Sequence, residues 1–280
     1  MGICDILKEI EDTGCGFIKE GCILLLRLLK EFVFPRCCAG CGVEIEAGFL
    51  CRECRKGLLQ MKEFPPVDAL DGGLFFFAYE NHVKEAIHKI KFGGDKNTPF
   101  LLGEETESLF ADLEVHEAVT KFLTGAGISL SFAEKDFMDK SESRKNVFQA
   151  LFQKEVPGGK RNLRLWSGIP TDPGRLRQRG FDLPTVLFSE RAKDFGGTWK
   201  QTLCRTRKTL PMYGLSAEER RRNLQDCFAV TGNVRGKSIV LVDDIFTTGA
   251  TFSAAAAVLK EAGAETVKGL AFCGSIENLR

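Results

Sequence analysis

The run Val242-Asp243-Asp244-Ile245-Phe246-Thr247-Thr248-Gly249-Ala250-Thr251 joins an apolar segment to two carboxylates and then to a loop of hydroxyls and glycine. Residues 239–242 read as a buried strand and the alanine-rich stretch after the loop as a helix, so the loop is a strand-to-helix turn. The first amides of a helix have no intrahelical partner, and its dipole adds partial positive charge, which together suit an anion. Gly249 lets the backbone come close to a ligand, while the hydroxyls of Thr247, Thr248 and Thr251 can donate to phosphate oxygens. Asp243 and Asp244 would repel a phosphate but can accept hydrogen bonds from sugar hydroxyls beside it, so the chemistry implied is recognition of a phosphorylated sugar. The plain alternative is an exposed strand end with Thr251 as a helix cap. A P-loop is excluded, because Gly236-Lys237-Ser238 has Thr231 where the first glycine is needed and leads into a strand.

The second constellation is cysteine. Cys38 and Cys41 form one C-x2-C pair and Cys51 and Cys54 another, with nine residues between them. Such turns aim paired sulfurs the same way, and four thiolates complete a tetrahedral Zn²⁺ with no position left for water, so the expected role is structural. A redox C-x2-C is the competing reading. His82, His88 and His116 have no partner at ligand spacing and read as ordinary helix residues.

These groups need a frame. Residues 3–34 carry apolar positions at helical spacing and end at Pro35, giving an N-terminal helix over 1–35, followed by the cysteine module at 36–62. A strand at 74–79, a helix through Val83, Ile87 and Ile90 to about 92, a strand at 163–169 and a helix at 183–195 come next. A strand at 237–242, a helix at 251–262 and a strand at 266–273 then make a right-handed parallel crossover. Residues 103–160 read as loops around a weak helix and are given no chemistry. The expected fold class is α/β, a parallel sheet flanked by helices.

Composition sets outer limits. With 280 residues, 44% of them hydrophobic and 28% charged, the chain can bury a sizeable core. Its net charge of +1 hides a block at 160–222 with fifteen Lys or Arg against six Asp or Glu. That block suits phosphates of a small molecule or a nucleic-acid backbone, with a solvated surface as the alternative. No apolar run approaches the ~20 residues of a membrane span. No secretory pattern opens the sequence, so a reducing cytoplasm is the default, where clustered cysteines point to metal.

Residues 239–251 resemble the phosphoribosyl pyrophosphate signature of the type I phosphoribosyltransferases. With the four-cysteine knuckle in front, the sequence is similar to the ComF family, which is linked to DNA uptake in competence. Tyr79, the run Lys89-Ile90-Lys91-Phe92, the run 175–181, Leu215-Ser216 through Glu219-Arg220, Asn223 and Phe228 agree with it. The resemblance implies a phosphoribosyltransferase-like domain over 70–280, with a divergent insertion at about 104–162. It implies that Asp243 and Asp244 hold ribose hydroxyls, that the loop Ile245, Phe246, Thr247, Thr248, Gly249, Ala250 and Thr251 holds the 5-phosphate, and that Mg²⁺ rides on pyrophosphate and ribose oxygens. Arg175, Arg177 and Arg179 alternate, so in an extended loop they would share a side and clamp pyrophosphate. Arg205, Arg207 and Lys208 fall in the family's closing loop. Three departures stand against simple transfer of activity: Asp172 for a common His, Asp182-Leu183 for Asn-Gln, and Met212 for Gln. Two readings follow, a phosphoribosyltransferase acting on a nitrogen acceptor, or a non-catalytic ligand-binding module in DNA uptake with single-stranded DNA or a helicase as partner.

Overall fold

The computed structural model describes residues 36–46, 48–92, 98–125, 164–210 and 216–275. The helix expected over 3–34 and most of the expected insertion lie outside these residues. Among the described residues no helix is long and apolar enough to cross a membrane.

The frame is a six-stranded sheet. Its strands are β1 (Leu59–Glu63), β2 (Gly73–Ala78), β3 (Leu165–Gly168), β4 (Thr198–Trp199), β7 (Ser238–Phe246) and β8 (Thr266–Gly274), in the order β1-β2-β8-β7-β3-β4. All neighbours are parallel except β1, which runs antiparallel along β2 at one edge. The residue choice explains this arrangement, since β2 reads Gly-Leu-Phe-Phe-Phe-Ala and is buried throughout, as a parallel strand covered on both faces must be. A separate antiparallel ribbon joins β5 (Leu203–Arg205) to β6 (Phe228–Val230).

Alternation along β7 divides the core in two. Val240 and Val242 face helices α2 (Asn81–Phe92), α3 (Thr98–Phe110) and α6 (Leu183–Phe188), where Ile87, Leu109 and Phe188 are buried. Ile239 and Leu241 face α8 (Ala250–Glu261) through Phe252, Ala255 and Leu259. The helix expected over 183–195 is interrupted, with α6 followed by a short 3-10 turn at Ala192–Phe195. The strand expected to stop at 242 continues through both acids to Phe246.

The stretch from 103 onward, read from sequence as loops around a weak helix, holds two ordered helices as far as 124, α3, which already begins at Thr98, and α4 (Leu113–Thr124). The face of α3 is not purely apolar: Glu105 and Thr106 are fully buried on it beside Leu102 and Leu109. Glu105 Oε2 accepts from the amides of Phe49 and Leu50, both at 3.3 Å, and Oε1 accepts from Arg55 Nε. Glu104 Oε2 accepts from Arg36 Nη1 at 2.7 Å and from the Gly48 amide at 3.0 Å. Two adjacent glutamates therefore tie the cysteine module and α1 (Arg52–Leu58) to the body.

Candidate functional site

In a parallel sheet, ligands are bound beyond the carboxyl ends of the strands, where loops and helix starts converge. Here β7 ends in Asp243, Asp244, Ile245 and Phe246, followed by Thr247, Thr248 and Gly249 and then α8. Phe246 is buried, its ring 3.8 Å from that of Phe64, with Phe252 edge-on to Phe64 at 5.0 Å. This aromatic stack anchors the turn from below. Gly249 caps α8 with φ 76° and gives no side-chain cap, so the first-turn amides remain open. A Cβ at this position would meet Val67 Cγ2 at 2.7 Å, so both the left-handed backbone and the space demand glycine.

The acid pair is enclosed by basic groups. Asp244 is 7% exposed, and its Oδ2 lies 2.7 Å from Lys91 Nζ at the end of α2. Its amide donates to Asp243 Oδ1 at 2.9 Å. Burial and then the neighbouring Asp244 raise the Asp243 carboxyl well above its ordinary value, with Lys91 opposing the shift. Burial works against the Lys91 ammonium, but Asp244 and Asp243 more than offset it and its pKa rises. The buried Cys273 thiol donates to the Asp244 carbonyl at 3.3 Å, and burial pushes its pKa well up.

Opposite the acids stands a helix where the sequence suggested an extended loop. Asp172, Pro173 and Gly180 mark α5 (Pro173–Arg179): Asp172 Oδ1 accepts from the Gly174 and Arg175 amides, Pro173 opens the first turn, and Gly180 takes the left-handed C-cap. Arg175 and Arg179 are thus four residues apart on one helical face, and Arg177 points elsewhere and is exposed. The expectation that all three share a side is corrected by this helical period. Arg179 Nη2 donates to the Lys91 carbonyl at 3.2 Å. Burial opposes ionisation of Asp172, yet the two amides, with Arg205 and Arg175, hold its pKa below the ordinary value. Arg205 itself leaves β5, donates to the Pro170 carbonyl at 2.7 Å and to Thr209 Oγ1 at 2.9 Å, and feels both Asp243 and Asp172.

A cleft of about 610 Å³ opens beside the loop, between α8 and α7 (Ala217–Leu224), touching Thr248, Gly249 and Ala250 but not the acid pair. Arg221 and Arg222 line it, paired with Glu218 of their own helix at 3.9 and 3.1 Å.

The four expected cysteines come together. The sulfurs of Cys38, Cys41, Cys51 and Cys54 lie within 4.8 Å of one another, and those of Cys41 and Cys51 are 3.6 Å apart. Four sulfurs around one Zn²⁺ at about 2.3 Å would sit about 3.8 Å apart, so this spacing fits a single ion. Gly40 makes room, because a Cβ there would meet Cys54 Sγ at 2.7 Å. Burial disfavours the Cys38 thiolate, but the amides of Cys51, Cys41 and Gly40 bring its pKa down to about 6. Burial and then the sulfurs of Cys51, Cys38 and Cys41 push Cys54 up to about 12. So crowded a set of sulfurs ionises fully only around a cation.

Residues 191–278 match the family described as phosphoribosyl transferase domain. These residues are thus similar to a phosphoribosyl transferase domain. It is 30% identical over 148 residues to the DNA utilization protein YhgH of Escherichia coli O157:H7, covering 52% of this chain and 65% of the relative. It is 36% identical over 109 residues to the protein of the same name from Salmonella typhi, covering 39% and 48%. The chain thus spans less than two thirds of either relative's length. These homologues, the matched residues and the four-cysteine cluster agree with the resemblance to the ComF family seen in the sequence. A solved structure described as the allosteric regulatory enzyme of purine biosynthesis shares 22% identity, covers 46% of this chain and 25% of its own, and has a TM-score of 0.26, too slight a likeness to argue from.

Within the matched residues, Asp243, Asp244, Thr247, Thr248, Gly249, Ala250 and Thr251 line one strand end and helix start, while Phe246 turns into the core. Lys91, which pairs with Asp244, and Arg179, which bonds the Lys91 carbonyl and feels the charge of Asp244, both lie outside the matched residues. From sequence, Lys91 is named only within a run that agrees with the family and has no role, Glu105 has none, and Arg205 belongs to a closing loop. Nothing local to Lys91 signals its partner, since the contact exists only after α2 packs on the sheet.

Proposed function

We propose that the chain binds phosphoribosyl pyrophosphate with Mg²⁺ at the end of β7, as a phosphoribosyltransferase-like protein. The observation that carries this is the pairing of two carboxylates with an uncapped helix start on one strand-turn-helix, inside the residues that match the phosphoribosyl transferase domain. Asp243 and Asp244 accept from ribose hydroxyls, and the amides of the turn and first helical turn hold the 5-phosphate. Arg175, Arg179 and Arg205 offer positive charge toward pyrophosphate, a role the exposed Arg177 supports less well. Mg²⁺ would neutralise the pyrophosphate and favour its departure. In a transfer reaction an acceptor nitrogen attacks C1 of the ribose and pyrophosphate leaves, which needs no protein nucleophile. The cysteine cluster holds Zn²⁺ structurally.

The test is calorimetry with phosphoribosyl pyrophosphate and Mg²⁺ on wild type and on Asp243→Asn/Asp244→Asn. The double variant should lose affinity, each charge-assisted bond contributing about 1.5–3 kcal/mol. Equal binding by both would sink the assignment of the acids. Pyrophosphate release in the presence of nucleobases separates transfer from binding alone.

A non-catalytic role in DNA uptake is the second reading, favoured by the basic block at 160–222 and by relatives named DNA utilization proteins. The pairing of Arg221 and Arg222 with Glu218 weakens it on that helix. Single-stranded DNA binding that falls steeply with salt would support it, and no binding at low salt would remove it.

A further inference from the structure

Resting on the phosphoribosyl reading above, we propose that Lys91 is a built-in cation of the Asp243–Asp244 pair. On this view the site also takes a 5-phosphorylated ribose that lacks pyrophosphate, and for that ligand no divalent metal is needed at the sugar hydroxyls.

Two adjacent carboxylates, Asp244 buried and Asp243 partly so, need positive charge close by to remain ionised and to accept from hydroxyls. A divalent ion is one way to supply it. Here the chain supplies an ammonium, with Lys91 Nζ 2.7 Å from Asp244 Oδ2 and side chains only 22% and 10% exposed. The ammonium is held from two directions. The buried face of α2, formed by Val83, Ala86, Ile87 and Ile90, fixes the helix against the sheet, and Arg179 Nη2 grips the Lys91 carbonyl at 3.2 Å. Lys91 and the Asp244 amide each use one acceptor position on the pair. Ionised carboxylates offer about four acceptor positions each, so capacity remains for both ribose hydroxyls. The 5-phosphate goes to the open amides of α8. A metal placed on Asp244 Oδ2 would have to displace Lys91, and one placed elsewhere on the pair would meet the repulsion of the ammonium, so the ammonium and the ion compete. A helix-to-strand ion pair with no part in binding is the alternative, and it predicts no link between Lys91 and metal dependence.

Calorimetry with ribose 5-phosphate, run with added Mg²⁺ and in buffer freed of divalent ions beforehand on a chelating resin, with no chelator added to the protein, on wild type, Lys91→Met and Lys91→Arg, tests the proposal. Wild type should bind nearly as well without Mg²⁺ as with it. Lys91→Met should lose about tenfold or more without Mg²⁺ and regain part of that with it, because the acid pair then lacks its own cation. Lys91→Arg should keep most of the metal-independent binding. The proposal is overturned if wild type needs Mg²⁺ for ribose 5-phosphate, or if Lys91→Met shows the same metal dependence as wild type. Should Lys91→Met fail to fold, Lys91→Gln run through the same two arms decides the question, with the same outcomes for and against. Loss of the proposal leaves the phosphoribosyl reading intact as long as phosphoribosyl pyrophosphate still binds with Mg²⁺, whereas binding of neither ligand under any condition ends both.

Discussion

Asp172 illustrates how one side chain's position changes its meaning. In the family resemblance it stands where a His is common, and a carboxylate facing pyrophosphate would be repulsive. In the structure its Oδ1 is committed to the amides of Gly174 and Arg175, so it builds the helix that carries Arg175 and Arg179. Asp172→Ala should therefore cost about 1 kcal/mol of stability. Because the folded pKa is depressed, that contribution is present above the unfolded carboxyl value of about 4 and fades as pH falls through the folded value. Unfolding of wild type and variant at pH 7 and pH 3 checks this, and a difference that persists unchanged at pH 3 would speak against the capping charge. The cap was legible in principle from Asp172-Pro173 ahead and Gly180 behind. Alternating arginines suggested an extended loop only because those boundary signals were passed over.

At the scale of elements, α3 couples the cysteine module to the sheet. The buried carboxylate of Glu105 satisfies two amides of the module and pairs with Arg55, so Glu105→Ala would leave buried donors and a guanidinium without their acceptor. A loss of about 3 kcal/mol is expected, read by denaturant unfolding, together with easier removal of the bound metal by chelator. Unchanged metal retention would mean that the module stands by itself. The strand-turn-helix from β7 to α8 was legible because every signal in it is local: apolar run, acids, glycine, alanine-rich helix. Helix α3 was not, because Glu105 and Thr106 occupy its buried face and break the apolar period that marks an amphipathic helix. The apparent end of β7 at its acids fell short for the opposite reason. Charged residues looked like solvent-facing ends, while Lys91 and packing kept the chain extended through them to Phe246.

The whole molecule joins a four-cysteine knuckle that could hold a metal ion, a mostly parallel sheet and a charged site at the sheet's carboxyl edge. Purified protein should contain about one Zn²⁺ per chain, and Cys41→Ser should lower thermal stability, since structural zinc contributes directly to folding. Metal affinity should fall as pH falls, because protons compete for the thiolates. Fully folded, metal-free protein would contradict that part. The fold class and the two constellations could be read from sequence, since each rests on neighbouring residues. Arg179 is a clamp candidate from its sequence, but its gathering with Lys91 and Arg205 near the acids is not legible there, since the three come from separate elements. The most direct test of the central claim is equilibrium binding of phosphoribosyl pyrophosphate with Mg²⁺ to wild type beside Thr248→Asp. Thr248 is exposed in the turn, so the variant keeps the fold and sets a negative charge against the 5-phosphate. The account predicts measurable binding by wild type and a loss of at least about tenfold in the variant. Equal affinity in the two proteins, or no binding by wild type at millimolar ligand, would contradict it.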